Sequence, residues 1–297
     1  MSVFLIAGGS GFIGSALREL LTADGHEVRS LVRRPAASPD ELPWNPAKGV
    51  LPPAHLAGVD VLVNLAGASI SRLPWTYARR RLILHSRIDA TRTLTTAMSL
   101  SRERPKVFLS GSATGIYGDR PGERLDEGSA PGASFLARVA ATWEAAARAA
   151  PRDVRVVHLR TGLVLGRGGG ALAPLVPLTR FGLGARLGTG RQRWPWIALR
   201  DEVRAIAHLA EADVAGPANL TSPAHDTAAE VTRALARALG RPQALALPAG
   251  LLHATLGPAA DDLLLPDQEV EPGVLLASGF RFAAPTLQEA LADVVAA

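Results

Sequence analysis

Gly8, Gly11 and Gly14, with two residues between each pair of neighbours, have the spacing with which a backbone turn can hold the phosphates of a dinucleotide. They directly follow the apolar run at residues 3–7 and open an amphipathic segment, which is the strand–turn–helix context this chemistry requires. Gly8 would allow the sharp turn, Gly11 the close approach of backbone to phosphate, and Gly14 tight helix packing. The helix N-terminus would add free N–H groups and its positive dipole end. A glycine-rich surface turn is the alternative.

Two arginines, Arg33 and Arg34, follow residues 27–32, which we predict to be the next strand. The end of this strand meets the adenine ribose in dinucleotide-binding folds. An acidic residue there binds the 2′-hydroxyl of NAD, whereas an arginine accommodates the 2′-phosphate of NADP. Because the strand end carries arginines and no acid, we predict NADP(H) as the cofactor. The alternative is that both arginines are merely solvated.

The elements that must position these residues alternate between apolar strands and amphipathic helices as far as about residue 160. This alternation predicts an α/β fold built on a Rossmann-type doubly wound parallel sheet. The further predicted strands cover residues 59–66, 106–111 and 154–160, the predicted helices cover 12–24, 75–99 and 134–149, and 35–58 is expected to be irregular.

The second half of the chain has a different texture, with more Leu, Pro and Gly between short elements. We predict an NADP-binding domain over residues 1–166 and a smaller lobe over 167–297, with 194–225 partly returning to the first domain. The lobe is expected to close over the cofactor and to bind a small-molecule substrate that the sequence does not identify. Trp194 and Trp196 would wall this pocket, with ordinary core packing as the alternative.

The composition limits the classes of function. The 297 residues include no cysteine, which excludes disulfides and thiolate chemistry. The arginines behind the net charge of +5 are scattered, so no nucleic-acid partner is expected. We see neither a long apolar run nor a signal-peptide pattern, and we expect no membrane partner and a cytoplasmic protein. The histidines lack metal-ligand spacing, so no metal is expected, and we expect a monomer or a homodimer.

Four motifs together resemble the extended short-chain dehydrogenase/reductase superfamily, often called NAD-dependent epimerase/dehydratases. They are GGSGFIG at 8–14, NLAG at 64–67, SATGIYG at 112–118 and RTGLVLG at 160–166. Further segments are similar to an atypical epimerase-family branch with a short C-terminal domain, some of whose members are labelled cell-division inhibitors. These segments are WTYARRRLILHSR at 75–87, Trp143-Glu144-Ala145-Ala146, GRGGGAL at 166–172 and LASGFRF at 276–282.

The resemblance implies an NADP(H)-binding Rossmann-type fold and a set of cofactor-binding residues carried over motif by motif. The set is Gly8, Ser10, Gly11, Phe12, Ile13 and Gly14 around the pyrophosphate, Arg33 at the 2′-phosphate, Leu65, Ala66 and Gly67 against the cofactor at a strand tip, Leu82 and Arg87 on the long helix, and Val164 near the nicotinamide. For Arg87, a phosphate or ribose contact and a surface salt bridge are both open.

The acid–base pair of the active members of this superfamily is missing. They use Tyr-x-x-x-Lys, in which the tyrosine transfers the proton and the lysine lowers its pKa. The chain has two tyrosines, neither followed by lysine at this spacing, and its lysines lie outside the predicted helix 134–149. Phe135 and Val139 occupy the matching spacing on that helix. The resemblance therefore indicates a cofactor more firmly than it indicates a reaction.

Three hydroxyls on the predicted loop after strand 106–111 are the remaining candidates for catalysis: Ser112, Thr114 and Tyr117. In relatives a hydroxyl here orients the substrate carbonyl, and Tyr117 could act as a substitute acid. Without a nearby lysine its pKa should stay near about 10, which makes it a poor general base. Packing and loop anchoring is the alternative for Tyr117.

Two functions follow from these observations. The first is an NADP(H)-dependent oxidoreductase or sugar-nucleotide epimerase that uses the hydroxyls of the loop in place of the missing pair. The second is a catalytically silent NADP(H)-binding protein that acts as a redox sensor or interaction partner, with a link to cell division suggested by the label of the relatives. The missing pair favours the second, and the predicted substrate lobe favours the first.

Overall fold

The computed structural model describes residues 1–295. Its strands, in chain order, are β1 (Val3–Ala7), β2 (Glu27–Val32), β3 (Glu41–Pro43), β4 (Val61–Asn64), β5 (Val107–Ala113), β6 (Arg124–Leu125), β7 (Arg155–Thr161), β8 (Leu163–Gly166), β9 (Gly169–Gly170), β10 (Gly184–Leu187), β11 (Trp196–Ala198), β12 (Gly216–Leu220), β13 (Gln243–Leu247) and β14 (Glu269–Val270). Its α-helices are α1 (Phe12–Ala23), α2 (Tyr77–Leu100), α3 (Phe135–Ala147), α4 (Leu175–Arg180), α5 (Leu199–Glu211), α6 (Ala228–Ala238), α7 (Ala249–Leu256), α8 (Ala259–Leu263), α9 (Gly273–Ala277) and α10 (Leu287–Val295).

The central sheet has seven strands in the order β12-β7-β5-β4-β1-β2-β3, and every neighbouring pair is parallel. The predicted Rossmann-type sheet is confirmed. Successive side chains of a strand point to opposite faces, so Phe4 and Ile6 pack on the side of α1 and α5, while Leu5 and Ala7 pack on the side of α2. Both faces are covered, which is why the strands read as continuous apolar runs.

The edge strand β3 lies in the segment 35–58 that we expected to be irregular. It pairs with β2 so that Glu41 lies beside Ser30, and it ends at Pro43. A three-residue strand is too short to show a periodic pattern, and proline is tolerated at an edge because no further strand needs its N–H. This short strand brings a carboxylate to the end of the sheet at which the cofactor is expected.

The second half of the chain forms its own apolar cluster but returns to the central sheet, where β12 is the edge strand beside β7. Trp194 and Trp196 are buried in this cluster. Their indole N–H groups donate to the carbonyl of Leu264 at 3.1 Å and to Asp226 at 2.9 Å. The indoles are therefore packed and hydrogen-bonded core residues, as in the alternative interpretation. None of the helices within residues 1–295 has the length and apolar character needed to cross a membrane.

Candidate cofactor site

The glycine turn follows β1 and has little room for side chains. Gly8 has a φ of 88°, and a Cβ atom built on it would lie 2.8 Å from the backbone of Leu65. A Cβ on Gly14 would lie 2.2 Å from the carbonyl oxygen of Gly8. The N–H of Gly11 donates to that same carbonyl at 2.9 Å, and α1 begins at the next residue. Only glycine fits at Gly8 and Gly14, at the turn and its junction with the helix, while Ser10 and Gly11 are exposed.

The side chain of Phe12 connects the start of α1 to the β8–β9 hairpin. A Cβ atom on Gly169 would lie 2.3 Å from its ring, and one on Gly166 would lie 2.9 Å from it. Phe12 and Ile13 are half-buried, and Val164 is buried in the same cluster. Gly166, Gly169 and Gly170 of the GRGGGAL segment therefore have a packing role, because the absence of a side chain at each leaves room for the Phe12 ring.

The two arginines after β2 differ in their environment. Arg34 forms a bidentate ion pair with Glu41, with N–O distances of 2.6 Å and 2.7 Å, and the N–H of Ala37 donates to the same carboxylate at 2.8 Å. The hydrogen bonds from Arg34 are the main reason that the pKa of Glu41 falls to about 2. Arg33 is exposed and has no hydrogen-bond or ion-pair partner among residues 1–295. Of the two, Arg33 is the cation available to a ligand.

The segment after β4 is held against α2. The side-chain oxygen of Asn64 accepts from the N–H of Ala66 at 3.2 Å, and its amide donates to Thr91 at 2.9 Å. The N–H of Ala68 donates to Ser86 at 2.9 Å. Leu65 and Ala66 are half-buried and Gly67 is exposed, next to the glycine turn. Residues 65–67, which we predicted to contact the cofactor, therefore lie beside Gly8 of the glycine turn.

Arg87 is held by backbone carbonyls and an aromatic ring rather than by a surface salt bridge. Its guanidinium donates to the carbonyls of Ala68 and Ile83, each at 3.0 Å, and lies 5.1 Å from the ring centre of Trp143. Burial is the main cause that lowers its pKa to about 10. No carboxylate pairs with it within the described part of the chain, so the surface salt bridge is wrong. Its contacts fasten the segment after β4 to α2, whereas Leu82 is half exposed on the same helix.

Ser112, on β5, is part of a buried charged cluster. Its hydroxyl donates to Glu144 of α3 at 2.8 Å, and Arg160 of β7 donates to both oxygens of that carboxylate, at 2.8 Å and 3.1 Å. Burial acts to raise the pKa of Glu144, but the hydrogen bonds and charge of Arg160 outweigh it and hold the pKa below its usual range. The Ser112 hydroxyl is therefore committed to a carboxylate in this structure.

Tyr117 extends the same cluster to the edge strand β12. The side chain is fully buried, its hydroxyl donates to the Asn219 side chain at 2.6 Å and it accepts from Arg160 at 2.9 Å. Burial is the largest influence on this group and raises its pKa above the ordinary value. A fully buried hydroxyl with both partners supplied by the protein has the geometry of the loop anchor that we gave as the alternative.

Thr114 differs from the other two hydroxyl residues. Its side chain is buried, at the start of the short helical turn that follows β5, and its carbonyl accepts from Gln268. Its hydroxyl makes no hydrogen bond within residues 1–295. Among the three candidates, Thr114 is thus the one whose hydroxyl is not already used by the fold.

Apolar side chains fill the positions at which relatives carry the acid–base pair. Phe135 packs edge-on against Trp75, with 5.5 Å between ring centres, and the guanidinium of Arg80 lies 4.3 Å above its ring. Val139 is buried in the same cluster as Ala259 of α8, from the second half of the chain. Neither position can transfer a proton, and the surrounding cluster holds no lysine or tyrosine.

The buried partners Glu144, Arg160 and Asn219 were not among the residues we assigned from the sequence. The sequence does indicate that Arg160 and Glu144 have charged or polar partners, because a charged residue inside a predicted buried strand or on the apolar face of a helix is rarely left unpaired. Arg160 stands at the end of the predicted strand 154–160, and Glu144 stands on the predicted helix 134–149. The signal predicts a pairing for each residue but does not name its partner.

Within residues 1–295, one group of potential metal ligands is present, although the spacing of the histidines suggested none. His225, Glu269 and Glu271 place ligand atoms within 4.8 Å of one another. Glu269 is already ion-paired with Arg193 at 3.1 Å and Arg124 at 3.2 Å. These cations compensate the charge that would attract a metal ion, so the cluster is explained by its ion pairs.

Glu202, on the first turn of α5, leads to a prediction about pH. It is fully buried, one oxygen accepts from Thr161 at 2.7 Å and the other has no hydrogen-bond partner within residues 1–295. Burial raises its pKa to about 8. The folded protein thus keeps a proton that the unfolded chain releases above its ordinary pKa of 4.5, so stability should fall as the pH rises between these values.

We expect Glu202→Gln to remove this dependence. Relative to the variant, the wild type should lose roughly 3–4 kcal/mol of unfolding free energy between about pH 5 and pH 8. Urea unfolding of both proteins at the two pH values measures the difference, with the exposed Glu211→Gln on the same helix as control. Equal pH slopes for the wild type and Glu202→Gln would contradict the assignment.

The chain has a Rossmann-type dinucleotide-binding fold. It combines a parallel sheet with a glycine turn after the first strand and an exposed arginine after the second. The chain belongs to the NAD dependent epimerase/dehydratase family, whose model matches residues 4–221. Residues 247–294 match a second model, described as a domain of unknown function, DUF1731. The family resemblance drawn from the motifs is confirmed.

Relatives match the chain over nearly its whole length. It is 43% identical over 292 residues to the epimerase family protein MT2273 of Mycobacterium tuberculosis, covering 98% of this chain and 96% of that protein. It is 36% identical over 297 residues to the epimerase family protein SDR39U1 of Homo sapiens, covering 98% and 99%. The crystal structure of human SDR39U1 (isoform 2) with NADPH superposes with a TM-score of 0.91 at 34% identity, covering 99% of each chain.

Proposed function

We propose that this protein binds NADP(H) in the cleft between the glycine turn, the end of β2 and the end of β4. The observation that carries the proposal is the pair of arginines after β2: Arg33 is open, while the nearby carboxylate of Glu41 is bound by Arg34. A 2′-phosphate would therefore meet a free cation and no free acid. The NADPH in the crystal structure of human SDR39U1 supports the same cofactor.

We propose further that cofactor binding itself is the function, in a protein that does not use tyrosine–lysine hydride chemistry. Phe135 and Val139 stand in place of the acid–base pair, inside an apolar cluster that α8 completes. Tyr117 is buried between Arg160 and Asn219, where it supports the fold. These contacts favour an NADP(H)-responsive binding protein over an epimerase that needs a proton donor beside the nicotinamide.

The second candidate function is an oxidoreductase that works without this pair. Thr114 favours it, since its uncommitted hydroxyl follows β5 at the carboxyl edge of the sheet, where substrates of such folds bind. The hydroxyl could orient a substrate carbonyl by donating a hydrogen bond, while the proton of the reduction would come from water. This candidate needs turnover, which separates it from the first.

Thermal unfolding with each cofactor tests the binding proposal. We expect NADPH to raise the midpoint of unfolding more than NADH at the same concentration, because the cofactor with the lower Kd stabilises the folded state more. A ligand at about 100 times its Kd contributes about 2.7 kcal/mol. NADP⁺ and NAD⁺ should show the same order. Equal shifts with the phosphorylated and unphosphorylated cofactors would contradict the proposed site.

Oxidation of NADPH in the presence of a panel of carbonyl compounds tests the two functions against each other. The binding-protein proposal expects the rate with protein to equal the rate without it. A rate that rises with protein and disappears in Thr114→Val, in a variant that still binds NADPH, would overturn this proposal and establish the second candidate.

A further inference from the structure

The carboxylate of Glu41 lies near the expected ribose site. Glu41 begins β3 and is aligned with Ser30 of β2 in the parallel pairing. The Ser30 hydroxyl is buried, has no hydrogen-bond partner in the described part of the chain and lies 3.0 Å from the position of a Cβ atom on Gly9 of the glycine turn. The side chain of Arg18 lies beside Gly9 as well, and its charge contributes to the low pKa of Glu41.

A free acid in this position would favour the wrong cofactor. Carboxylates after the second strand accept a hydrogen bond from the ribose 2′-hydroxyl of NAD, and the same charge repels a 2′-phosphate. In this protein the acid comes from β3 rather than from β2, so the residue types at the end of β2 do not reveal it. Its effect on the cofactor depends on whether its charge and its oxygens are free.

Both oxygens of Glu41 are occupied. One accepts from Arg34 at 2.6 Å, and the other accepts from Arg34 at 2.7 Å and from the N–H of Ala37 at 2.8 Å. A third hydrogen bond from Arg34, to the carbonyl of Pro35 at 2.9 Å, holds the guanidinium in this orientation. Arg34 is therefore engaged with the protein, and Arg33 is not.

We propose that Arg34 determines cofactor selectivity by masking Glu41, and that it does so without binding the 2′-phosphate itself. Arg33 then supplies the phosphate contact, with Arg18 as a second positive charge beside the turn. The inference rests on the proposed function, because it assumes that NADP(H) occupies this cleft. Arg34 is a positioning residue in this scheme, and Glu41 is the group that it controls.

A double-mutant cycle tests the masking. Arg34→Ala should expose the carboxylate and weaken NADPH binding by about tenfold, with NADH unchanged or tighter, since a like charge then faces the phosphate. Glu41→Gln breaks the same ion pair but leaves no charge, so its NADPH affinity should stay within about threefold of the wild type. The double variant Arg34→Ala, Glu41→Gln should return to the same range. Fluorescence titration of the reduced cofactors gives all Kd values.

The cycle also identifies the ways in which the inference fails. If the double variant binds NADPH as weakly as Arg34→Ala, Arg34 contacts the phosphate directly and the masking is wrong. If Glu41→Gln alone weakens NADPH and NADH alike, the pair only supports the loop, and the masking is again wrong. Folding should not interfere, because the side chain of Arg34 is 55% exposed and exposed pairs contribute little stability. A wild type with no preference for NADPH would contradict the proposed function instead.

Discussion

Arg33→Ala is expected to weaken NADPH binding by roughly 10- to 100-fold and to leave NADH binding nearly unchanged, because a hydrogen-bonded charge pair with the 2′-phosphate is lost only with NADPH. Arg33 is the exposed arginine at the end of β2 and has no partner among residues 1–295, so none of these residues competes for its charge. Calorimetric titration of both cofactors gives the two affinities. The ratio of the two losses, rather than either value, measures the phosphate contact.

A matched control for this variant is Arg29→Ala. Arg29 lies on the same strand β2 but is paired with Glu27 at 2.7 Å and with the carbonyl of Ala57. Its removal changes the net charge equally and should affect the two cofactors alike. A uniform loss of NADPH and NADH in Arg33→Ala would show that this residue only supports the loop, and the NADP(H) assignment would lose its main support.

Glu144→Ala is expected to destabilise the protein by about 3–5 kcal/mol, the largest effect on stability that we predict. The substitution leaves the buried guanidinium of Arg160 without its carboxylate and the Ser112 hydroxyl without its acceptor. Removing one partner of a buried ion pair costs more than the pair contributes, since the remaining charge stays desolvated. Urea unfolding monitored by circular dichroism measures the loss.

Two further variants separate the buried pair from general effects. Glu123→Ala removes the partner of Arg120 in an exposed pair and should cost less than about 1 kcal/mol. Tyr117→Phe removes a single hydroxyl from the cluster and should cost about 1–3 kcal/mol, because Asn219 and Arg160 lose a buried partner. If Glu144→Ala costs no more than Glu123→Ala, the cluster does not hold the fold together as described.

The buried ion pair also has a consequence at low pH. The pKa of Glu144 is lowered in the folded state, so its contribution is present above the ordinary value of 4.5 and is lost as the pH falls below it. Glu202 acts in the opposite direction, since its raised pKa lowers the free energy of unfolding as the pH rises. Between them, the two buried glutamates favour a stability maximum on the mildly acidic side of neutrality.

Much of the fold could be predicted because its signals are local. The apolar runs of β1, β2 and β4 and the three glycines are contiguous in the chain, and both faces of a parallel sheet demand this pattern. The absence of a tyrosine–lysine pair can likewise be recognised from the sequence, because it depends only on the positions of a few residues. By contrast, β3 has three residues, and its pairing with β2 depends on an alignment that periodicity cannot show.

The sequence by itself determined the Rossmann-type sheet, the glycine turn after its first strand and the absence of the usual acid–base pair. Only the tertiary structure decided which arginine is open, because the partner of Arg34 lies on another strand. It also brought the Tyr117 hydroxyl to its buried partner Asn219, which lies 102 residues away in the chain. The physical reason is the same in both cases. Residue types determine what a side chain is able to do, while its partners, burial and pKa come from segments that only folding brings together.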